Sequence, residues 1–168
     1  MKKLIICAML TAAALLQSSC SLGGSRTDML NKSNDREVIN TRLEQIIAAI
    51  ENSDKDAMKA MFSESALQEA EDIDGEIEQL LALFPNGIDS WTHIVNEVSE
   101  KQNHGKREKS ITASYYVYTG DQQYVFAIMD RIINTENPEK VGLFAIDVFD
   151  DKNNEFRAFS AGIYIAVE

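Results

Sequence analysis

Ile111-Thr-Ala-Ser-Tyr-Tyr-Val-Tyr-Thr-Gly-Asp-Gln-Gln-Tyr-Val-Phe-Ala-Ile-Met-Asp-Arg-Ile-Ile133 is the stretch that decides the fold. Its first half places Ile111, Ala113, Tyr115 and Val117 on one side of an extended chain. Its second half places Tyr124, Phe126, Ile128, Asp130 and Ile132 on one side, with Val125, Ala127, Met129 and Arg131 on the other. Thr119-Gly120-Asp121 between them can reverse the chain, so the stretch predicts a long antiparallel hairpin with strands over about 108–118 and 122–133. Upstream, Trp91, His93 and Val95 alternate with Thr92, Ile94 and Asn96, which predicts an earlier strand. Downstream, the loop 134–140 contains Pro138, and Val141–Phe149 is apolar except for Asp147, as expected of a strand covered on both faces. Asp150-Asp-Lys-Asn-Asn154 predicts a turn, and 155–167 a last strand or pair of strands bent near Ala161-Gly162.

The chain before Trp91 has a different period. Ile39, Leu43, Ile46, Ile47 and Ile50 share one helical face over about 36–50. Ser53 and Asp56 form a capping-box pattern that opens a short helix through Met61, and another turn is expected around Glu64–Gln68. Ile73, Ile77, Leu80, Leu81 and Phe84 predict a helix over 72–84, ended by Pro85-Asn86-Gly87. Helices first and antiparallel strands afterwards mark an α+β fold, with the sheet curling around the helices.

The chain has 168 residues, enough for one well-cored domain. Sixteen basic and twenty-seven acidic side chains give a formal net charge of -11, which repels a phosphate backbone and argues against a nucleic-acid partner. Lys2 and Lys3 precede the segment Leu4–Leu16, which is apolar except for Thr11. That segment reaches about 20 Å as a helix, against the roughly 30 Å of a bilayer core, and therefore reads as a secretory leader. Leu16-Gln17-Ser18-Ser19-Cys20 resembles the bacterial lipoprotein signal, in which small residues precede a cysteine that becomes lipidated and N-terminal; Gln17 stands where an aliphatic residue is usual. Unmodified secretion with cleavage near Ser18 or Ser19 is the alternative. Of the two cysteines, Cys7 lies inside the leader, so an exported chain is left with one thiol, which diacylglycerol attachment at Cys20 would consume. Residues 1–19 are thus expected to be a leader, 20–35 a solvated tether and 36–168 one domain, anchored to the outer face of the cytoplasmic membrane.

Two or three helices followed by a first strand and long curved strands are similar to the cone of the nuclear transport factor two superfamily, also described as cystatin-like. More narrowly, Ser53-Asp-Lys-Asp-Ala-Met-Lys-Ala-Met-Phe62 and Asn137-Pro-Glu-Lys-Val-Gly-Leu-Phe-Ala-Ile146 resemble an uncharacterised family of small Gram-positive bacterial lipoproteins with that cone. The resemblance covers roughly residues 36–160 and implies a membrane-tethered extracytoplasmic domain. That family has no established activity, so it supplies no catalytic residues.

The residues themselves suggest a few constellations. His93 and Asp130, with Tyr115 or Tyr124 as a nearby donor, would make an acid-base set in a cone pocket, which points to a small-molecule isomerase or hydratase. Trp91, Tyr115, Tyr116, Tyr118, Tyr124 and Phe126 offer an aromatic recognition surface, or a dimer face. Glu69, Glu71, Asp72, Asp74, Glu76 and Glu78 crowd one helix start, where the backbone dipole favours acids, with a cationic partner as the alternative. Lys101, Lys106, Arg107 and Lys109 flank His104 and Gly105 in a polar, hairpin-like loop and form the compact basic patch of an acidic chain, able to touch an anionic neighbour. Asp150, Asp151, Asn153, Asn154 and Glu155 lack the glycine and distal glutamate of a calcium loop. No phosphate loop, dinucleotide fingerprint or nucleophile elbow is present, and no cofactor or metal is expected. The expectation is a tethered, non-catalytic module that binds a small molecule or an envelope protein. An acid-base enzyme and a homodimeric scaffold are the alternatives.

Overall fold

The computed structural model describes residues 22–150 and 159–167, with side chains described from residue 34 onward. The chain divides into two compact units, Met1–Arg36 and Glu37–Glu168. In the first unit, helical backbone is described from Leu22; the architecture below is that of the second. The leader, Cys20 and the turn residues 151–154 lie outside the described residues.

Helix α1 spans Leu22–Glu51, so helical backbone begins within the segment 20–35 that sequence assigns to a tether. Once the apolar-faced part of a helix is nucleated, each further residue adds one hydrogen bond, and periodicity is not needed for extension. Ile39, Leu43, Ile46, Ile47 and Ile50 are all buried, as their spacing predicts. The helix ends with Asp54 N–H on the Ala49 carbonyl, Ser53 N–H on the Ile50 carbonyl, and Ser53 in the left-handed region at φ 50°. This ending corrects the expected capping box. Ser53 is used in terminating α1, so Asp54 takes the extended conformation and accepts from Ala57 N–H at 2.9 Å to cap α2, Lys55–Ala60. Helix α3, Glu64–Glu69, is capped by Ser63, and α4, Ile73–Leu83, by Asp72.

Five strands follow in the order β1 (Ser90–Asn103), β2 (Lys106–Thr119), β3 (Gln122–Asn134), β4 (Gly142–Asp150) and β5 (Gly162–Ala166). The first four form an antiparallel meander. β5 instead runs parallel to β4, pairing Ile146 with Ile163 and Val148 with Ile165. The sheet is thus antiparallel through the meander, as expected, with β5 added in the parallel sense. The polar stretch 101–109, expected as a loop, is mostly strand. Its reversal takes only His104 and Gly105, at φ 48° and 81°, a pair of left-handed residues that fits the strand twist.

The inner face is the predicted one. Ile111, Ala113, Tyr115, Val117, Phe126 and Ile128 are at most 1% exposed and pack with α1 and α4 residues into one core. Register shifts at His93/Val95, Lys109/Ser110 and Met129/Asp130 leave Ile94, Ile132 and Phe144 as extra residues, and bulges of this kind bend an open sheet. Two consequences are visible. Val95 turns outward to 51% exposure, off the face of Trp91 and His93, and Ile132 leaves the alternation that holds through Asp130.

Candidate functional site

Arg42, Gln45, Ala48, Ala49 and Asn52 recur along one flank of α1, and across from them α2 presents Ala57 and Ala60. Small side chains on both helices leave a groove of about 620 Å³, closed at one end by Met61, Phe62, Val141 and Gly142. That end is held by the backbone. Leu143 N–H donates to Met61 O and Ser63 N–H donates to Leu143 O, both at 2.9 Å, so the segment after α2 pairs with the start of β4 as a short parallel bridge. Gly142 sits at φ 129° there, where a β-carbon would stand 3.0 Å from Ser63 N and 3.1 Å from Met61 O. Only glycine fits so close to that backbone.

The polar end of the groove is Arg42. Its Nε donates to Asp130 Oδ2 at 2.6 Å, and its Nη1 donates to Gln45 Oε1 at 2.9 Å. Asp130 is 1% exposed, placed on the inner face by the alternation of β3, and its Oδ1 has no hydrogen-bond partner among the described residues. A buried carboxylate costs several kcal/mol unless paired, so the ion pair is what allows an acid at this register position. Two hydrogen bonds lock a planar group with five N–H donors, leaving the rest of the guanidinium as a preorganised donor at the groove.

The His93–Asp130 pairing of the acid-base alternative is not formed. Asp130 pairs with Arg42, and it lies opposite Ile111 on β2, whereas His93 lies opposite Tyr115. Four residues along a strand are about 14 Å, well beyond hydrogen-bond reach. Tyr115 is fully buried, donates its hydroxyl to Asn40 Oδ1 at 3.1 Å, and stacks edge-on with both Trp91 and His93. Tyr124 and Phe126 are likewise core residues, each edge-on to Phe84, so these aromatics of the expected recognition surface are spent on packing. Tyr116 and Tyr118 point to the other side of β2 and are half-buried. Burial, and to a lesser degree the charge of Asp150, raises the pKa of the Tyr124 phenol, which donates to Gln122 Oε1 at 2.6 Å.

The acidic run on α4 has structural work. Asp72 caps the helix, Asp74 pairs with Lys59, Glu78 pairs with Lys55, and Glu76 Oε2 accepts from Ile163 N–H at 2.8 Å. Among the described residues, no group of three or more acids, histidines or cysteines is placed to hold a metal ion, and no helix is long and apolar enough to cross a membrane. Arg42 and Gln45 were not among the residues singled out from sequence. A polar flank on an amphipathic helix looks like solvent-facing surface until the partner strand is in place.

The sequence profile of a family described as a domain of unknown function (DUF5104) matches residues 45–151, from the last two turns of α1 through β4. No curated protein matches the chain.

Proposed function

The chain belongs to the DUF5104 family, and from that premise we propose that it is an exported lipoprotein, held at the membrane through Cys20, whose domain acts as a non-catalytic binding module. The groove between α1, α2 and the start of β4 is its binding site, and the ligand has an apolar body with a hydrogen-bond-accepting end directed to Arg42. The observation that carries this reading is the combination in one concavity of alanine-lined walls and a guanidinium locked by Asp130 and Gln45. A fixed guanidinium on a groove of alanine, Met61 and Phe62 side chains, bordered also by Gln45, Asn52 and Asp54, orients a ligand without supplying an acid-base pair. The leader, the single thiol left after its removal and the resemblance to small Gram-positive lipoproteins support the location.

The groove is tested with 1-anilinonaphthalene-8-sulfonate, which joins an apolar ring system to an anionic acceptor. Saturable fluorescence enhancement is expected with the full chain. It should be lost in Ala57→Trp, a change at an exposed position that fills the groove without touching the core. Enhancement that Ala57→Trp leaves unaltered overturns the assignment of the site. The anchor is tested by mass spectrometry of the membrane fraction: a diacylglyceryl mass on Cys20, absent in Cys20→Ser, is expected, and an intact leader on cytosolic protein sinks that part.

A further inference from the structure

Strand β1, Ser90–Asn103, is 14 residues long and forms one edge of the sheet: β2 pairs with one side of it, and no described strand pairs with the other. Edge strands are usually kept from further pairing by shortness, proline, lysines or bulges. β1 has no proline and a single lysine, Lys101. Its one bulge lies near its start, where Ile94 is the extra residue between His93 and Val95. From Val95 to Asn103 the register against β2 is unbroken, so a regular stretch of edge presents main-chain N–H and C=O groups along its outer side.

The charges of that stretch divide by whether they are answered within the chain. Glu100 Oε1 accepts from Arg107 Nε at 2.8 Å, and Lys106 pairs with Glu136 at the hairpin end. Glu97 and Lys101 are exposed and enter no ion pair among the described residues. Glu97 lies opposite Thr112, and Lys101 opposite Glu108 without forming a salt bridge to it. Glu97, Ser99 and Lys101 share the side of the sheet away from Ile111, whereas Val98, 39% exposed, stands on the Ile111 side.

Two identical edges can pair antiparallel about a two-fold axis. Residues directly opposite each other share a face, so the axis has to pass through a residue position. The midpoint of the bulge-free stretch Val95–Asn103 is Ser99. With the axis there, Val95 opposes Asn103 of the second copy, Asn96 opposes Gln102, and Glu97 opposes Lys101, each pair occurring twice. The two Val98 side chains then take diagonal positions across the seam. An axis at Glu100 or Lys101 sets like charges opposite each other, and one at Val98 sets Glu97 against Ser99 and Lys101 against Val95. Backbone regularity and charge complementarity thus select the same register independently.

We propose that β1 is a homodimerisation edge: two copies of this chain join antiparallel through Val95–Asn103, centred on Ser99, into one continuous sheet. The main-chain ladder supplies the affinity, and the two Glu97–Lys101 pairs fix the register. Each copy carries a formal net charge of -11, but a screening length of about 8 Å at physiological salt confines that repulsion, while the paired charges act at contact. The edge uses none of the residues that line the α1–α2 groove and does not depend on that site.

The test is sedimentation equilibrium of the full chain in density-matched mild detergent at about 0.15 M salt. A reversible dimer is expected. Glu97→Lys sets cations opposite each other and Lys101→Glu sets carboxylates opposite each other, so each variant alone should dimerise about tenfold more weakly. Mixed in equal amounts, the two variants regain both opposite-charge pairs, and a heterodimer within about threefold of the wild-type affinity is expected. That recovery also shows that both variants fold. Ser99→Cys, on the axis, should cross-link to its counterpart under mild oxidation beyond the level of the wild-type chain, whereas Val95→Cys, roughly 27 Å from its own counterpart, should not. A wild-type chain that stays monomeric overturns the proposal. So do affinities unmoved by either reversal, a mixture that stays monomeric, or cross-linking at Val95→Cys in place of Ser99→Cys.

Discussion

Arg42 and Asp130 meet in a 2.6 Å ion pair although 88 positions separate them in the chain. The pair ties the groove-facing flank of α1 to the inner face of β3. Removing Arg42 alone leaves a buried carboxylate without its cation. Arg42→Ala is therefore expected to destabilise the domain by about 3–5 kcal/mol in urea unfolding. The double variant Arg42→Met/Asp130→Leu should recover most of that loss. Recovery would show that the pair is not required for stability and leave its donor role at the groove as the reason for it.

Gly142 lies against the backbone of Met61 and Ser63 at a φ of 129°. Gly142→Ala adds both a close contact and a strained conformation, so a cost above about 1 kcal/mol is expected. Calorimetry should show the lower melting temperature. Hydrogen exchange should show faster loss of the Leu143 and Ser63 amides, whose bonds form the bridge.

Burial and Asp150 hold the Tyr124 phenol above its ordinary pKa of 10.0. The neutral phenol is favoured in the folded state, so the unfolded chain releases this proton first as pH rises. The associated stabilisation is complete below pH 10 and is lost as pH climbs through the folded value. An alkaline absorbance titration should show late-titrating absorbance that falls by one phenol in Tyr124→Phe, and that variant should lose less stability between pH 9 and 11.

Glu76 accepts from Ile163 N–H at 2.8 Å and fastens β5 to α4. With Glu76→Ala the amide loses its partner, at a cost of about 1–3 kcal/mol. The Ile163 amide should exchange faster, while amides of the β2–β3 hairpin keep their protection.

What was legible in the sequence follows from what is local. Alternation in 111–117 and 124–130 and the 3.6-residue period in 39–50 depend only on which side of a strand or helix a residue occupies, and each of those residues lies where its spacing predicts. The errors fall where one extra residue resets the period. Ile94 displaces Val95, Ile132 breaks with Asp130, and Ser53 ends one helix in place of capping the next. A bulge or a left-handed residue carries no periodic signal, because its conformation is set by the strand or helix it abuts.

The chain by itself determined the order of helices and strands, the apolar faces and the turns, since propensity and patterning act within a few residues. The tertiary structure alone decided the partners: Arg42 for Asp130 instead of His93, Glu136 for Lys106, and β5 running parallel to β4. A charge contributes through whatever stands within a few ångströms of it, and that neighbourhood is defined only once strands distant in sequence have chosen their register.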